Sequence, residues 1–291
     1  MKKQLFGHSV VPYIFIAPQL AIISIFFLWP AAQSVQLSFY LEDPWGLGST
    51  FVWFDNYIEA LTSESYYNSA LFTVIFSSFV AFFSMAIALF LAVKADVVIR
   101  GQATYKVLLI WAYAVAPAVA GLMAVFLFNQ HLGPFYAFFN FFWDYDHKID
   151  AFDATFVLIL VAVWKQVSVN FVYFLAGLQS IPKAVKEAAA IDCKSDTRRF
   201  WTIVFPLLAP TTFFLLIINL TYALFETFPI IDVLTRGRPG GETRTLVYKV
   251  YQDGFLGADL GGSSAQSVIL MIIVMILTII QFRYIERKIH Y

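Results

Sequence analysis

Apolar and polar positions alternate along this chain on the scale of whole segments rather than of single helix faces. Uncharged or nearly uncharged runs occupy about 10–40, 69–93, 107–129, 154–178, 207–231 and 265–282. Each is long enough for a helix that crosses a bilayer, which needs ~20 apolar residues. Between the runs lie polar stretches with turn signals, among them Asp43-Pro44 and Trp45-Gly46, with a short helix expected near 56–61. The pattern predicts an all-α polytopic membrane protein with six transmembrane helices. The first run follows Met1-Lys2-Lys3, as a secretory leader would, but its uncharged length from Gln4 to Leu41 far exceeds an apolar leader core of about 7–15 residues. It reads as a retained helix.

Composition agrees with this reading, with 60% hydrophobic residues, 13% charged residues and a mean hydropathy of +0.74. The formal net charge of zero conceals a segregation. Lys2, Lys3, Lys94, Arg100, Lys106, Lys183, Lys186, Lys194, Arg198, Arg199, Arg283, Arg287 and Lys288 fall on one side of a six-helix topology. By the positive-inside rule both termini and the segment at about 179–210 are expected to be cytoplasmic. The single Cys193 excludes an intrachain disulfide. No internal repeat or linker divides the chain, so one transmembrane domain over 1–291 is expected.

Within the third run Ala112, Ala116, Ala120 and Ala124 recur every four residues with Gly121 beside them, a small-residue ridge that permits close helix packing. Pro117 interrupts the same helix and predicts a kink. Lys165 lies midway along the fourth run, where a lysine costs roughly 2.5–3.5 kcal/mol on insertion scales. It therefore needs a partner or an aqueous cavity. A polar network with Glu226, Gln166, Asn170 or Asn219 is one reading. A place on a translocation path beside an anionic solute is the other, with Lys165, Asn170, Asn219 and Glu226 as path candidates.

Between the fourth and fifth runs, Lys183 to Ile191 reads as a short helix opened by Pro182, Asp192-Cys193-Lys194 as a turn, and Ser195 or Asp196 as the start of a second helix. Glu187-Ala188-Ala189-Ala190-Ile191-Asp192-Cys193, with Ile203, Phe205-Pro206 and Pro210 at matching distance, resembles the EAA loop of the ABC importer permeases. Cys193 stands where that family has glycine and Phe205 where it has leucine. If Cys193 keeps a left-handed conformation it carries strain of order 1 kcal/mol. Leu234-Thr235-Arg236-Gly237-Arg238-Pro239 resembles a pattern of the carbohydrate-uptake permeases. Longer matches are similar to the A-type permeases of sn-glycerol-3-phosphate importers: Tyr13 to Leu20 with Trp29-Pro30, Tyr113 to Ala120, Val163 to Gln166 with Asn170-Phe171, Phe225 to Asp232, and Ser264 to Val268.

The resemblance implies a type I importer fold in a bacterial inner membrane. It also implies a second homologous permease, two ATPase subunits and an extracytoplasmic substrate-binding protein as partners, with Glu187, Ala188, Ala189, Asp192 and Cys193 coupling the chain to the ATPase. ATP and Mg would belong to the partner ATPase, with no cofactor on this chain. Other glycerol phosphodiesters or neutral oligosaccharides are alternative solutes, and an ion-coupled secondary transporter using Lys165 and Glu226 is an alternative class. The sequence has no Gly-Lys-Ser/Thr phosphate loop, no nucleophile beside a base, no metal-ligand spacing among His8, His131, His147 and His290, and no polybasic nucleic-acid feature. An enzyme is not expected.

Overall fold

A computed structural model describes residues 11–43, 48–97, 102–193 and 195–288. Five helices are long and apolar enough to cross a membrane: Tyr13–Leu37, Glu64–Asp96, Ala151–Ser180, Ala209–Glu226 and Leu260–Arg283. A bent pair, Lys106–Ala114 with Pro117–Leu127, makes a sixth if counted as one span. These are called the first to sixth spans in chain order, the bent pair being the third. All six apolar runs thus become helix, with polar flanks added at several ends. The basic clusters at Lys2, Lys3, Arg100 and Lys194, and the turn signals from Pro44 onward, lie outside the described residues.

The described chain divides into two compact units. In Met1–Ser63 with Val250–Met275, the first span leads into a hairpin absent from the sequence reading. Strand β1 (Tyr40–Glu42) pairs antiparallel with β2 (Ser49–Phe51), Tyr40 opposite Phe51. The Asn56 amide, from the helix Asp55–Thr62, donates to the carbonyls of Ser38 at 2.9 Å and Tyr40 at 3.0 Å, tying that helix to the end of the first span. At the start of the sixth span Asp259 Oδ1 accepts from the Gly262 amide, and Gln266 Nε2 donates to Asp253 Oδ2, each at 2.8 Å.

Glu64–Lys249 with Ile276–Tyr291 forms the larger unit, and its axis is the fourth span. Buried residues recur on every side of that helix, which packs most extensively against the second span. On the second span Ala88, Ala92 and Ala95 form a stripe at helical spacing. Against it lie Val163, Val167, Phe171, Phe174, Leu175 and Leu178 of the fourth, with Leu208 and Leu215 closing the cluster. Three polar side chains pin this packing. Ser84, Asn170 and Asn219, one from each of the second, fourth and fifth spans, are fully buried. Asn170 Nδ2 donates to Asn219 Oδ1 at 2.9 Å and Asn219 Nδ2 returns a bond to Asn170 Oδ1 at 2.8 Å. Ser84 Oγ donates to Asn219 Oδ1 at 2.7 Å and accepts from Asn170 Nδ2 at 3.1 Å. Asn219 Nδ2 also reaches the Leu215 carbonyl at 2.6 Å.

The residues between the third and fourth spans, rich in Phe, Tyr and Trp, divide into two sets. Tyr145 is fully buried among Phe128, Phe139 and Trp143, while Phe138, Phe141 and Phe142 are exposed. Asp153 braces the buried set, accepting from Trp143 Nε1 at 3.1 Å and from the Asp146 amide at 2.8 Å. Burial, then the charges of Asp153 and Asp146, push the Tyr145 phenol up, and burial holds the His147 imidazole below its usual range. His147, one of the four histidines without metal-ligand spacing, is buried and stacked on Tyr145.

Removing one member of the three-span knot leaves the others with buried polar atoms in a low-dielectric setting, at a cost of about 1–2 kcal/mol. Asn170→Leu is expected to destabilise the detergent-purified chain by that amount in thermal or denaturant unfolding. The Asn170→Leu, Asn219→Leu pair is expected to lose less than the sum of the two single changes, because both partners then become apolar. Strict additivity would contradict the knot.

Candidate functional site

The third span sets the geometry around Lys165. Its first half, Gln102–Ile110, tightens into a 3-10 turn at Trp111–Ala114. Val115 (ψ 122°) and Ala116 (ψ 143°) are then extended, and a new helix starts at Pro117. Proline disfavours a helical residue before it, and its missing N–H is harmless at the first helical position. The expected kink is therefore a complete break, with the two halves bent by 101°. The continuous alanine ridge is lost with it. Ala112 lies in the 3-10 turn and is buried, Ala116 sits in the break and is exposed, and Ala120, Gly121 and Ala124 are buried on the second half. A Cβ on Gly121 would meet Ile230 and Val233 of the short helix Phe228–Leu234 at 3.2–3.3 Å, so close intrachain packing uses this face.

A break inside an apolar segment orphans carbonyls, and the fourth span supplies donors for two of them. Ser168 Oγ donates to the Leu109 carbonyl at 2.7 Å, and the Lys165 ammonium donates to the Val115 carbonyl. Trp164 adds an edge-on contact to Trp111, with ring centroids 5.7 Å apart. Lys165 is only 7% exposed.

The four path candidates are not brought together. Asn170 and Asn219 are turned into the knot with Ser84 and are fully buried. Glu226 is exposed at the end of a π-helical turn, Tyr222–Glu226, and among the described residues forms no ion pair with Lys165. Gln166 is buried on the fourth span. The network postulated around Lys165 is thus two separate contacts, an ammonium on a broken helix and an amide pair about a turn further along.

The segment at 179–210 folds as the spacing suggests, into a helix Lys183–Asp192 and a helical turn Asp196–Arg199. Pro182, extended at ψ 138°, opens the first. The three alanines do not share one face: Ala189 is buried, whereas Ala188 and Ala190 are exposed. Ala184, Val185, Ala188, Ala189, Asp192 and Ile203 line a shallow groove of about 370 Å³. Glu187 and Asp192 are exposed, and Ile191 is 85% exposed, an unusual position for an isoleucine on a polar helix. Cys193 adopts φ −123° and ψ 108°, an extended conformation open to any residue. The left-handed conformation that would strain a cysteine is not adopted there.

After the fifth span, the stretch 235–243 is built around Arg244. The guanidinium donates to the Gly241 carbonyl at 3.1 Å and to Ser65 Oγ at 3.1 Å. Gly237 (φ +74°) and Gly241 (φ +89°) need glycine twice over, for the backbone sign and because a Cβ would collide with Arg244. Thr243 Oγ1 closes the loop onto the Arg238 carbonyl at 2.7 Å, and Tyr248 Oη meets Asp232 Oδ1 at 3.1 Å.

Sequence reasoning missed Ser84, Ser168, and the pair Lys186–Asp96, whose nitrogen and oxygen lie 2.9 Å apart. Serines within apolar runs were visible, but their partners lie on other helices.

Comparison with known proteins places this geometry. Residues 60–291 match the family described as the binding-protein-dependent transport system inner membrane component, and the chain belongs to that family. It is an inner-membrane permease component of an ABC transport system, not an enzyme. The sn-glycerol-3-phosphate transport system permease protein UgpA of Rhizobium meliloti (strain 1021) is 51% identical over the full length of both chains. Its counterparts in Agrobacterium fabrum (strain C58 / ATCC 33970), over the full length of both, and Yersinia enterocolitica (serotype O:8 / biotype 1B), over 98% of this chain and 97% of that one, are 50% and 49% identical. Among solved structures, a bacterial ABC transporter involved in the import of the acidic polysaccharide alginate superposes with a TM-score of 0.82 at 18% identity, covering 96% of each chain. The same transporter type in complex with an alginate pentasaccharide-bound periplasmic protein gives 0.78 at 18% identity over 93% of this chain and 92% of that one. The fold is that of the type I importers.

Because Cys193 is extended, Cys193→Gly relieves nothing and adds backbone freedom to the unfolded chain. It is expected to leave stability unchanged or lower it by about 0.4–1 kcal/mol in thermal unfolding. A gain of ~1 kcal/mol would show that the residue is strained.

Proposed function

We propose that this chain forms half of a translocation pathway for sn-glycerol-3-phosphate, in an assembly with a second homologous permease, two ATPase subunits and an extracytoplasmic binding protein. The observation that carries the solute is the 51% identity, over the full length of both chains, to a permease named for that compound. One permease domain over 1–291 is the reading, supported by a family match that runs from residue 60 to 291. Both termini and the loop at 179–210 face the cytoplasm in this account.

The helix Lys183–Asp192 is the coupling element. Glu187, Ala188 and Asp192 are exposed on it and available to a partner, while Ala189 packs inward and Cys193 ends it. ATP and Mg bind the partner ATPase chains and this chain carries no cofactor. Closure of the ATPase pair on ATP moves the coupling helix, and the fourth span, one residue upstream of Ile181-Pro182, receives that motion along its length.

Uptake of radiolabelled sn-glycerol-3-phosphate by proteoliposomes containing the full assembly tests this directly. Uptake is expected to need both ATP and the loaded binding protein. Glu187→Ala is expected to reduce uptake at least about tenfold, equivalent to ~1.4 kcal/mol, through weaker ATPase docking or uncoupled turnover. ATP turnover stimulated only by a binding protein loaded with another solute would keep the mechanism and replace the solute. Ion-driven uptake by this chain alone would overturn both.

A further inference from the structure

Lys186 and Asp96 form an ion pair at 2.9 Å across ninety positions of sequence, with both side chains about two-thirds to three-quarters shielded from solvent. Lys186 lies in the first turns of Lys183–Asp192, where the partial positive charge of the helix N-terminus disfavours an ammonium. Local helix electrostatics do not account for its place, whereas the Asp96 carboxylate does.

The location of this pair matters. The helix Lys183–Asp192 is joined to the fourth span through the buried Ile181 and through Pro182. That is one attachment, and a single attachment lets a short helix swing. Lys186 supplies a second, to the end of the second span. Just behind Asp96 are Ala92 and Ala95, buried in the same cluster as Leu178 and Ile181, so both attachments end on one packed block. Higher in that block Ser84 and Asn170 connect the same two spans.

We infer that Lys186 and Asp96 are a positioning pair, which fixes the coupling helix to the second span so that its displacement moves the second and fourth spans together. The transport consequence rests on the function proposed above, whereas the tether itself does not. Without the pair the helix pivots about Pro182, and part of an ATPase stroke is spent in bending the joint.

Cys193, the chain's single cysteine and the residue that follows the helix, allows the tether to be read without any partner. A spin label there, on the full chain in nanodiscs, is expected to move faster in Asp96→Asn and in Lys186→Met than in the wild type. Reversing both charges, Lys186→Asp with Asp96→Lys, re-forms the pair with opposite polarity and is expected to restore the wild-type spectrum. In the full assembly the single variants are expected to transport several-fold fewer solute molecules per ATP, and the reversed pair to recover. Unchanged label mobility in the single variants, or a reversed pair that fails to restore it, overturns the tether. A fall in uptake that tracks the amount of assembled complex, with solute per ATP unchanged, overturns the positioning role. A wild-type assembly without ATP-driven uptake refutes the proposed function, and the label then decides the tether by itself.

Discussion

A backbone carbonyl in hydrocarbon must find a donor within the protein, because water is not there to provide one, and each failure costs several kcal/mol. This constraint shapes the larger unit. The third span is broken at Val115–Ala116, and the break persists because Lys165 and Ser168 of the fourth span donate to carbonyls that the helix no longer satisfies. An isolated chain segment with this sequence would have to re-form a helix across the break or leave those groups bare. The fourth span makes the third possible.

The same helix fixes its other neighbours by the same chemistry. Asn170 exchanges hydrogen bonds with Asn219 and meets Ser84, which binds the fifth and second spans to it at one buried point. Lipid offers no hydrophobic drive for helices to associate, so small residues and a few satisfied polar side chains do that work. The Ala88, Ala92 and Ala95 stripe supplies the close approach and the knot supplies the register. Attached to this block through the buried Ile181 and through Pro182 is a short helix presenting Glu187 and Asp192.

Much of this was legible in the sequence, for identifiable reasons. Length and hydropathy gave all six apolar segments, because the requirement for ~20 apolar residues leaves little choice. Pro182 and the Ala-rich run gave the helix Lys183–Asp192. Lys165 stood out because a charge in an apolar run must be compensated. Its partner did not stand out, since a main-chain carbonyl has no sequence signature and is exposed as an acceptor only where a helix fails. For the same reason Asn170 and Asn219 were visible as polar residues, read either as a network with Lys165 or as path candidates, while their bond to each other spans 49 positions. Cys193 was judged by the residue it replaces, and its own backbone angle made that concern void. The pair of Lys186 and Asp96 was missed because each looks like an ordinary surface charge and the two lie ninety positions apart.

The claim on which this account stands is that the fourth span holds the third one open. Spin labels at Val107 and Phe126, exposed positions on the two halves of the third span, measure it. A continuous helix would separate their backbones by ~28 Å, whereas two halves bent by 101° bring them to ~18 Å. The account predicts the short distance in the wild type and a longer or broadened one in Lys165→Met. A distance near that of a continuous helix, or a short distance indifferent to the loss of Lys165, would contradict it.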